Sequence, residues 1–147
     1  MVEIRTTYEG HLRCTSTHGP SGTTLNTDAP KDNMGKGESF SPTDLVATAL
    51  GTCMLTTMGI VAQRQSIPFE SATAKVGKEM VTTPTRRIGQ LTVEISVPMD
   101  LPDEHERRLR AAALTCPVFK SLHPDVKIPV TIYWGKERRE ERIEHSH

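Results

Sequence analysis

Three cysteines and six histidines carry most of the reactive chemistry open to this chain. Cys53 lies within SPTDLVATALGTCMLTTMGIVAQRQ (residues 41–65) and Cys116 within AALTCPVFKSLHPDV (residues 112–126). Both fall on apolar faces of helical patterns, in different surroundings. Val46, Ala49, Leu50, Cys53, Thr57 and Ile60 follow the i, i+3, i+4, i+7 rule, which sets Cys53 in the middle of a mostly apolar stripe. Cys116 closes a second stripe, Leu109, Ala112 and Ala113, and stands directly before Pro117. A thiol pair that reduces peroxides needs such an asymmetry. One thiol sits in an apolar pocket and is ionised by a cation or a helix dipole to attack an O–O bond. The other has freedom to move and condenses with the resulting sulfenic acid. Cys53 suits the first role and Cys116 the second. Two unrelated buried cysteines would give the same periodicity, and a buried Cys ordinarily packs as a small hydrophobe. Cys14, which shares a strand face with Leu12, reads as core.

Other chemistries have less support. There is no C-x-x-C, and no histidine at ligand-pair spacing from either helical cysteine, so no metal or organic cofactor is expected. His145 and His147 lie in a charged C-terminal tail, where metal binding would be adventitious. No G-x-S-x-G, P-loop or dinucleotide fingerprint is present to anchor a hydrolase, nucleotide or nicotinamide reading.

The elements that must position the two thiols follow from local pattern. Ser41 suits an N-cap, Pro42 a first helical position, and Asp44 supports the cap and the helix dipole. From Leu45 to Gln63 there is no charged residue, so this central helix must be covered on almost every face. Before it, Val2, Ile4, Thr6 and Tyr8 alternate with polar neighbours and lead through Glu9-Gly10 to a second alternating run, a hairpin. The Gly-, Pro-, Ser- and Asn-rich stretch 19–40 is mainly loop, with a short strand around Thr23 to Asn26. After the helix, Ile67-Pro68 ends the pattern. Ala72, Ala74 and Val76, then Leu91, Val93, Ile95 and Val97, form a second hairpin. Leu101 to Cys116 is an amphipathic helix with Glu106, Arg107 and Arg110 outward, and Pro117 ends it while opening a new turn. Val126, Ile128, Val130 and Ile132 alternate in a final strand, and residues 136–147 read as a solvated, frayed tail.

Bulk properties narrow the class. A chain of 147 residues suits a single domain, 1–147, and folding hides roughly 70% of the unfolded surface at this size. Lys plus Arg number 18, equal to Asp plus Glu, which favours neither nucleic acid nor an anionic membrane. The N-terminus lacks a basic then apolar secretory pattern, and the central helix is too rich in Thr and Gly for lipid. A cytoplasmic protein is expected, and three cysteines there leave thiol chemistry open rather than a disulfide framework.

The segments SPTDLVATALGTCMLTTM and AALTCPVFKSLHPDV, in the order hairpin, loop, cysteine helix, strand pair, Cys-Pro helix and final strand, resemble the OsmC/Ohr family over nearly the whole chain. The resemblance implies an α/β (α+β) OsmC-like fold, with antiparallel β-sheets around a central cysteine-bearing helix in an intertwined homodimer. It further implies a cysteine-based peroxidase acting on organic hydroperoxides, with sites at the subunit interface, Cys53 as peroxidatic and Cys116 as resolving cysteine. A dithiol would reopen the disulfide, a dihydrolipoyl group being what the family suggests. Well-studied members carry a glutamate at the position of Thr43, where it orients an arginine beside the thiolate. Asp44 is adjacent but points about 100° away around the helix. Arg13 is the candidate arginine, with Lys31 and Lys36 as substitutes. The missing carboxylate bears on peroxidase rate more than on fold, and places the chain in a divergent OsmC-like branch. The alternative is a non-catalytic OsmC-like module that binds a small hydrophobic ligand in the pocket at Cys53.

Overall fold

The structure, a computed structural model, describes residues 1–145, so His147 of the expected tail lies outside the described residues. The chain forms two compact units, Met1–Val46 and Ala47–His147.

In the first unit, β1 (Ile4–Gly10), β2 (Arg13–His18) and β3 (Thr24–Asp28) form an antiparallel meander in that order. Tyr8 pairs with Cys14, and a bulge follows where Gly10, at φ +83°, turns the chain. The stretch after β3 is loop, as its composition predicts, with one 3-10 turn at Lys31–Asn33. Gly35 is obligatory here: a Cβ on it would lie 1.7 Å from the carbonyl oxygen of Ala29. Among the described residues of this unit, only Thr27, Asp28 and Ser41 are buried. Ile4, Tyr8, Leu25, Met34 and Phe40 stay exposed.

Helix α1 (Pro42–Arg64) begins where the capping pattern predicts. The Asp44 N–H donates to Ser41 Oγ at 3.1 Å and the Ser41 N–H donates to Asp44 Oδ2 at 2.9 Å, a reciprocal capping box. At the other end Ser66 takes φ +55° and the Ile67 N–H donates to the Ala62 carbonyl at 2.8 Å, a Schellman-type stop before Pro68. By length and composition alone α1 could cross a bilayer. It is nevertheless packed against protein, for a Cβ on Gly51 would stand 3.0 Å from Val76 Cγ2.

The second unit carries β4 (Thr73–Val81), β5 (Arg87–Val97), α2 (Asp103–Leu114), α3 (Pro117–Ser121), β6 (Val130–Trp134) and β7 (Arg139–Ile143). Its sheet has the order β4-β5-β6-β7. One face is apolar: Leu91, Val93, Ile95 and Val97 alternate inward on β5, with Val130, Ile132 and Trp134 on β6. Ala74 and Val76 pair with Ile95 and Val93, so α1 packs on this face through Gly51. Helix α2 lies on the same face, since it bonds Glu141, which pairs with Ile132. Lys75, Glu94 and Tyr133 point to the other, polar face, where Lys75 and Glu94 make an ion pair at 2.6 Å.

Four expectations need correction. The sheets are not wholly antiparallel: β5 and β6 run parallel, because α2 and α3 fill the crossover between them. The final strand starts at Val130 rather than Val126. Pro129 offers no N–H to a ladder, and before it the pairing is a single bridge, Gln90 to Lys127. Residues 139–143 are not a frayed tail but β7, paired antiparallel to β6. Its charges are engaged: Arg139 pairs with the buried Glu106, and Arg110 and the Trp134 indole N–H both bond Glu141. Finally, the buried stripe of α1 is Ala47, Leu50, Gly51, Met54, Met58 and Ala62. It is rotated by roughly a third of a turn from the stripe centred on Cys53. Val46, Ala49, Cys53 and Thr57 are half-buried, and Ile60 is 44% exposed.

Candidate active site

Cys116 owes its position to the proline that follows it. Pro117 disfavours helical geometry at the preceding residue, so Cys116 adopts φ −62°, ψ 143° and becomes the N-cap of α3. Its Sγ accepts the Phe119 N–H at 3.4 Å, the part usually played by a Ser or Asp oxygen. The side chain is fully buried, and the new turn that Pro117 opens is α3, with Cys116 at its N-terminus.

Cys53 is mid-helix on α1 and half-buried, a location rigid in backbone yet open on one side. Its carbonyl accepts the Thr57 hydroxyl at 2.6 Å. The two thiols, far apart in sequence, meet: Cys53 is close enough to share a hydrogen bond with the Cys116 side chain, and both cysteines are free thiols. Burial pushes the Cys116 thiol up to about 11, and the neighbouring Cys53 adds to the rise, against the opposing pull of the Phe119 and Val118 N–H groups. At neutral pH Cys116 therefore keeps its proton. It is a poor first nucleophile and a ready donor toward the Cys53 sulfur.

The supporting candidates belong to the first unit and are occupied there. The Arg13 guanidinium donates to Glu38 Oε2 at 2.5 Å and stands 3.6 Å from Oδ2 of the buried Asp28. Asp28 Oδ2 also accepts the Glu38 N–H at 3.0 Å, so Asp28 and Glu38 together fix the arginine. Asp44 serves the capping box, and Thr43 Oγ1 lies 3.2 Å from Ser41 Oγ. Cys14 is a free, half-buried thiol on β2, opposite Tyr8 and Thr27.

Sequence reasoning passed over three residues that shape the site. Phe119 and Val118 cap the Cys116 sulfur environment, and the Cys-Pro break was their only signal. His145, assigned to the tail, instead reaches the Ile128 carbonyl at 2.7 Å and packs edge-on against Phe119. No sequence pattern points to that contact.

The family described as OsmC-like protein matches residues 35–131, a span that contains both Cys53 and Cys116. No curated protein matches the chain. Among solved structures, that of an osmotic stress induced and detoxification response protein of Psychrobacter arcticus 273-4 is 45% identical, with 90% of this chain and 96% of that one covered and a TM-score of 0.84. An organic hydroperoxide resistance protein OsmC of Legionella pneumophila is 17% identical over 90% of this chain and 96% of its own, with a TM-score of 0.72. An organic hydroperoxide resistance protein of Elizabethkingia anophelis is 16% identical over 90% and 94%, with a TM-score of 0.69. The last two share the fold. By the family match and the 45% identical relative, with a thiol pair inside the matched span, the chain belongs to the OsmC-like protein family.

Proposed function

We propose that this chain is a thiol peroxidase that reduces organic hydroperoxides through Cys53 and Cys116. The observation that carries this reading is the meeting of two free thiols from α1 and the N-cap of α3, of which the buried one holds its proton. The Cys53 thiolate attacks the terminal oxygen of the hydroperoxide and the O–O bond breaks. The alkoxide leaves and takes a proton to become an alcohol, and Cys53 is left as a sulfenic acid. The Cys116 sulfur then attacks the Cys53 sulfur. The hydroxyl departs with the Cys116 proton as water, and a disulfide remains. A dithiol, such as a dihydrolipoyl group, restores both thiols by exchange. Two structural relatives bear the name organic hydroperoxide resistance protein, which fits this substrate class.

The working form in this reading is a cytoplasmic homodimer. The meander of the first unit leaves Ile4, Tyr8 and Leu25 uncovered, and the Cys53 stripe of α1 ends in an exposed Ile60. A two-fold partner covers such surface with the same patch used twice.

Titration of free thiols before and after one equivalent of cumene hydroperoxide tests the chemistry. The expected result is rapid loss of two thiols with Cys14 retained. Unchanged thiols would instead support a module that binds a small hydrophobic ligand beside Cys53.

A further inference from the structure

We propose that His145 is a positioning residue for the resolving cysteine, a clamp that holds the α3 turn against the sheet. The proposal rests on the assignment of Cys116 as the resolving thiol. Beyond Ile143, where β7 ends, the chain runs on in the same antiparallel register, Val130 opposite Ile143, and His145 Nε2 comes 2.7 Å from the Ile128 carbonyl oxygen. A carbonyl only accepts, so Nε2 carries the proton. Nδ1 is buried without a hydrogen-bond partner, so the ring is oriented by one polar anchor and by its apolar contact. That contact is Phe119, with centroids 5.2 Å apart and planes at 78°, an edge-to-face arrangement. Phe119 is buried, and its own N–H caps the Cys116 sulfur.

The anchor is firm. Ile128 follows Lys127, whose N–H donates to the Gly89 carbonyl at 3.0 Å and whose carbonyl accepts the Leu91 N–H at 2.9 Å. The other end of the clamp is not self-supporting. Helix α3 has five residues, a single turn that does not persist without tertiary contacts. The imidazole therefore links a segment fixed to β5 with the turn that carries Cys116, and keeps that thiol buried beside Cys53.

The test is the reactivity of Cys116 in His145→Ala, read against Cys14 in the same protein by mass spectrometry after N-ethylmaleimide. Loss of one anchored contact predicts that Cys116 is alkylated about threefold to tenfold faster than in the wild type, with Cys14 unchanged. Formation of the Cys53–Cys116 disulfide by diamide, which takes up the two electrons and two protons released, should slow by a similar factor. His145→Gln keeps a donor for Ile128 but no ring, and should fall between the two. Equal acceleration at Cys14 and Cys116 would mean general loosening and would overturn the clamp, as would unchanged rates or a wild type in which diamide forms no Cys53–Cys116 bond. Neither measurement uses a peroxide. If cumene hydroperoxide leaves wild-type thiols intact, the peroxidase reading fails while the clamp is still decided.

Discussion

The division of labour proposed for Cys53 and Cys116 rests on their environments. Cys116 is enclosed on all sides and ionises only near about 11, whereas Cys53 keeps an open flank on α1. With the folded value raised by burial, Cys116 alkylation should stay slow at neutral pH and climb through the alkaline range toward that value. The rate profile from pH 7 to pH 11 checks this, and a plateau reached by about pH 9, the ordinary thiol range, would contradict the burial argument. In the proposed reaction the same asymmetry orders the two chemical steps. Cys53→Ser should abolish hydroperoxide consumption. Cys116→Ser should consume about one equivalent and stop, leaving a sulfenic acid that dimedone labels at Cys53. A label at Cys14 would show the assignment wrong.

At the scale of elements, the site depends on how closely α1 approaches the sheet. A Cβ at Gly51 would meet Val76 Cγ2 at 3.0 Å, tight enough that the neighbour must yield slightly. In Gly51→Ala the helix propensity gained, about 1 kcal/mol, offsets that strain, and stability should change little. Gly51→Val adds two methyl groups to a closed contact and should cost about 1–3 kcal/mol in urea unfolding. Strand β7 is the other dependent element. Burial alone would push the Glu141 carboxyl up, but the Arg110 guanidinium at 2.8 Å and the Trp134 N–H at 2.6 Å outweigh it and hold the carboxyl below its usual range. Because the folded value is depressed, this contribution is present above the unfolded value of about 4.3 and is lost as pH falls through the lower folded value. Glu141→Gln should therefore be less stable than the wild type by about 1–2 kcal/mol at pH 7. The gap should close on acidification below about pH 4. A constant gap from pH 7 to pH 3 would exclude the charged clip.

For the whole molecule, the uncovered apolar surface predicts the assembly. Tyr8 remains 64% exposed and Ile4 59%, on a three-stranded meander with almost no buried residue of its own. A small sheet without a covered apolar face is marginal in water, so a second copy should bury it. Light scattering at micromolar concentration should give about twice the 16.3 kDa chain mass. Ile60→Asp, which sets a charge on the Cys53 stripe, should shift the population toward the single chain. A well-folded wild-type monomer at that concentration would remove the dimer.

By itself the sequence determined whatever short-range geometry dictates. The Ser41-Pro42-Asp44 cap, the helix stop before Pro68, the period-two run of β5 and the Cys-Pro break at α3 are local, because capping, proline sterics and side-chain alternation act within a few residues. The thiol pair was legible as two cysteines in contrasting helical settings, and the two long motifs carry the family. Tertiary structure decided the rest. Which stripe of α1 is buried could not be read from a helix apolar or uncharged all round, since the choice between Cys53 and Met54 depends on where β4 lies. The parallel pairing of β5 with β6 depends on how α2 and α3 return the chain. The charges of 139–143 read as a solvated tail because the partners that neutralise them, Glu106 and Arg110, lie a helix and a strand away in sequence. For the same reason His145 gave no sign of its place against Phe119: a single aromatic contact over a long separation leaves no period in the residues around it.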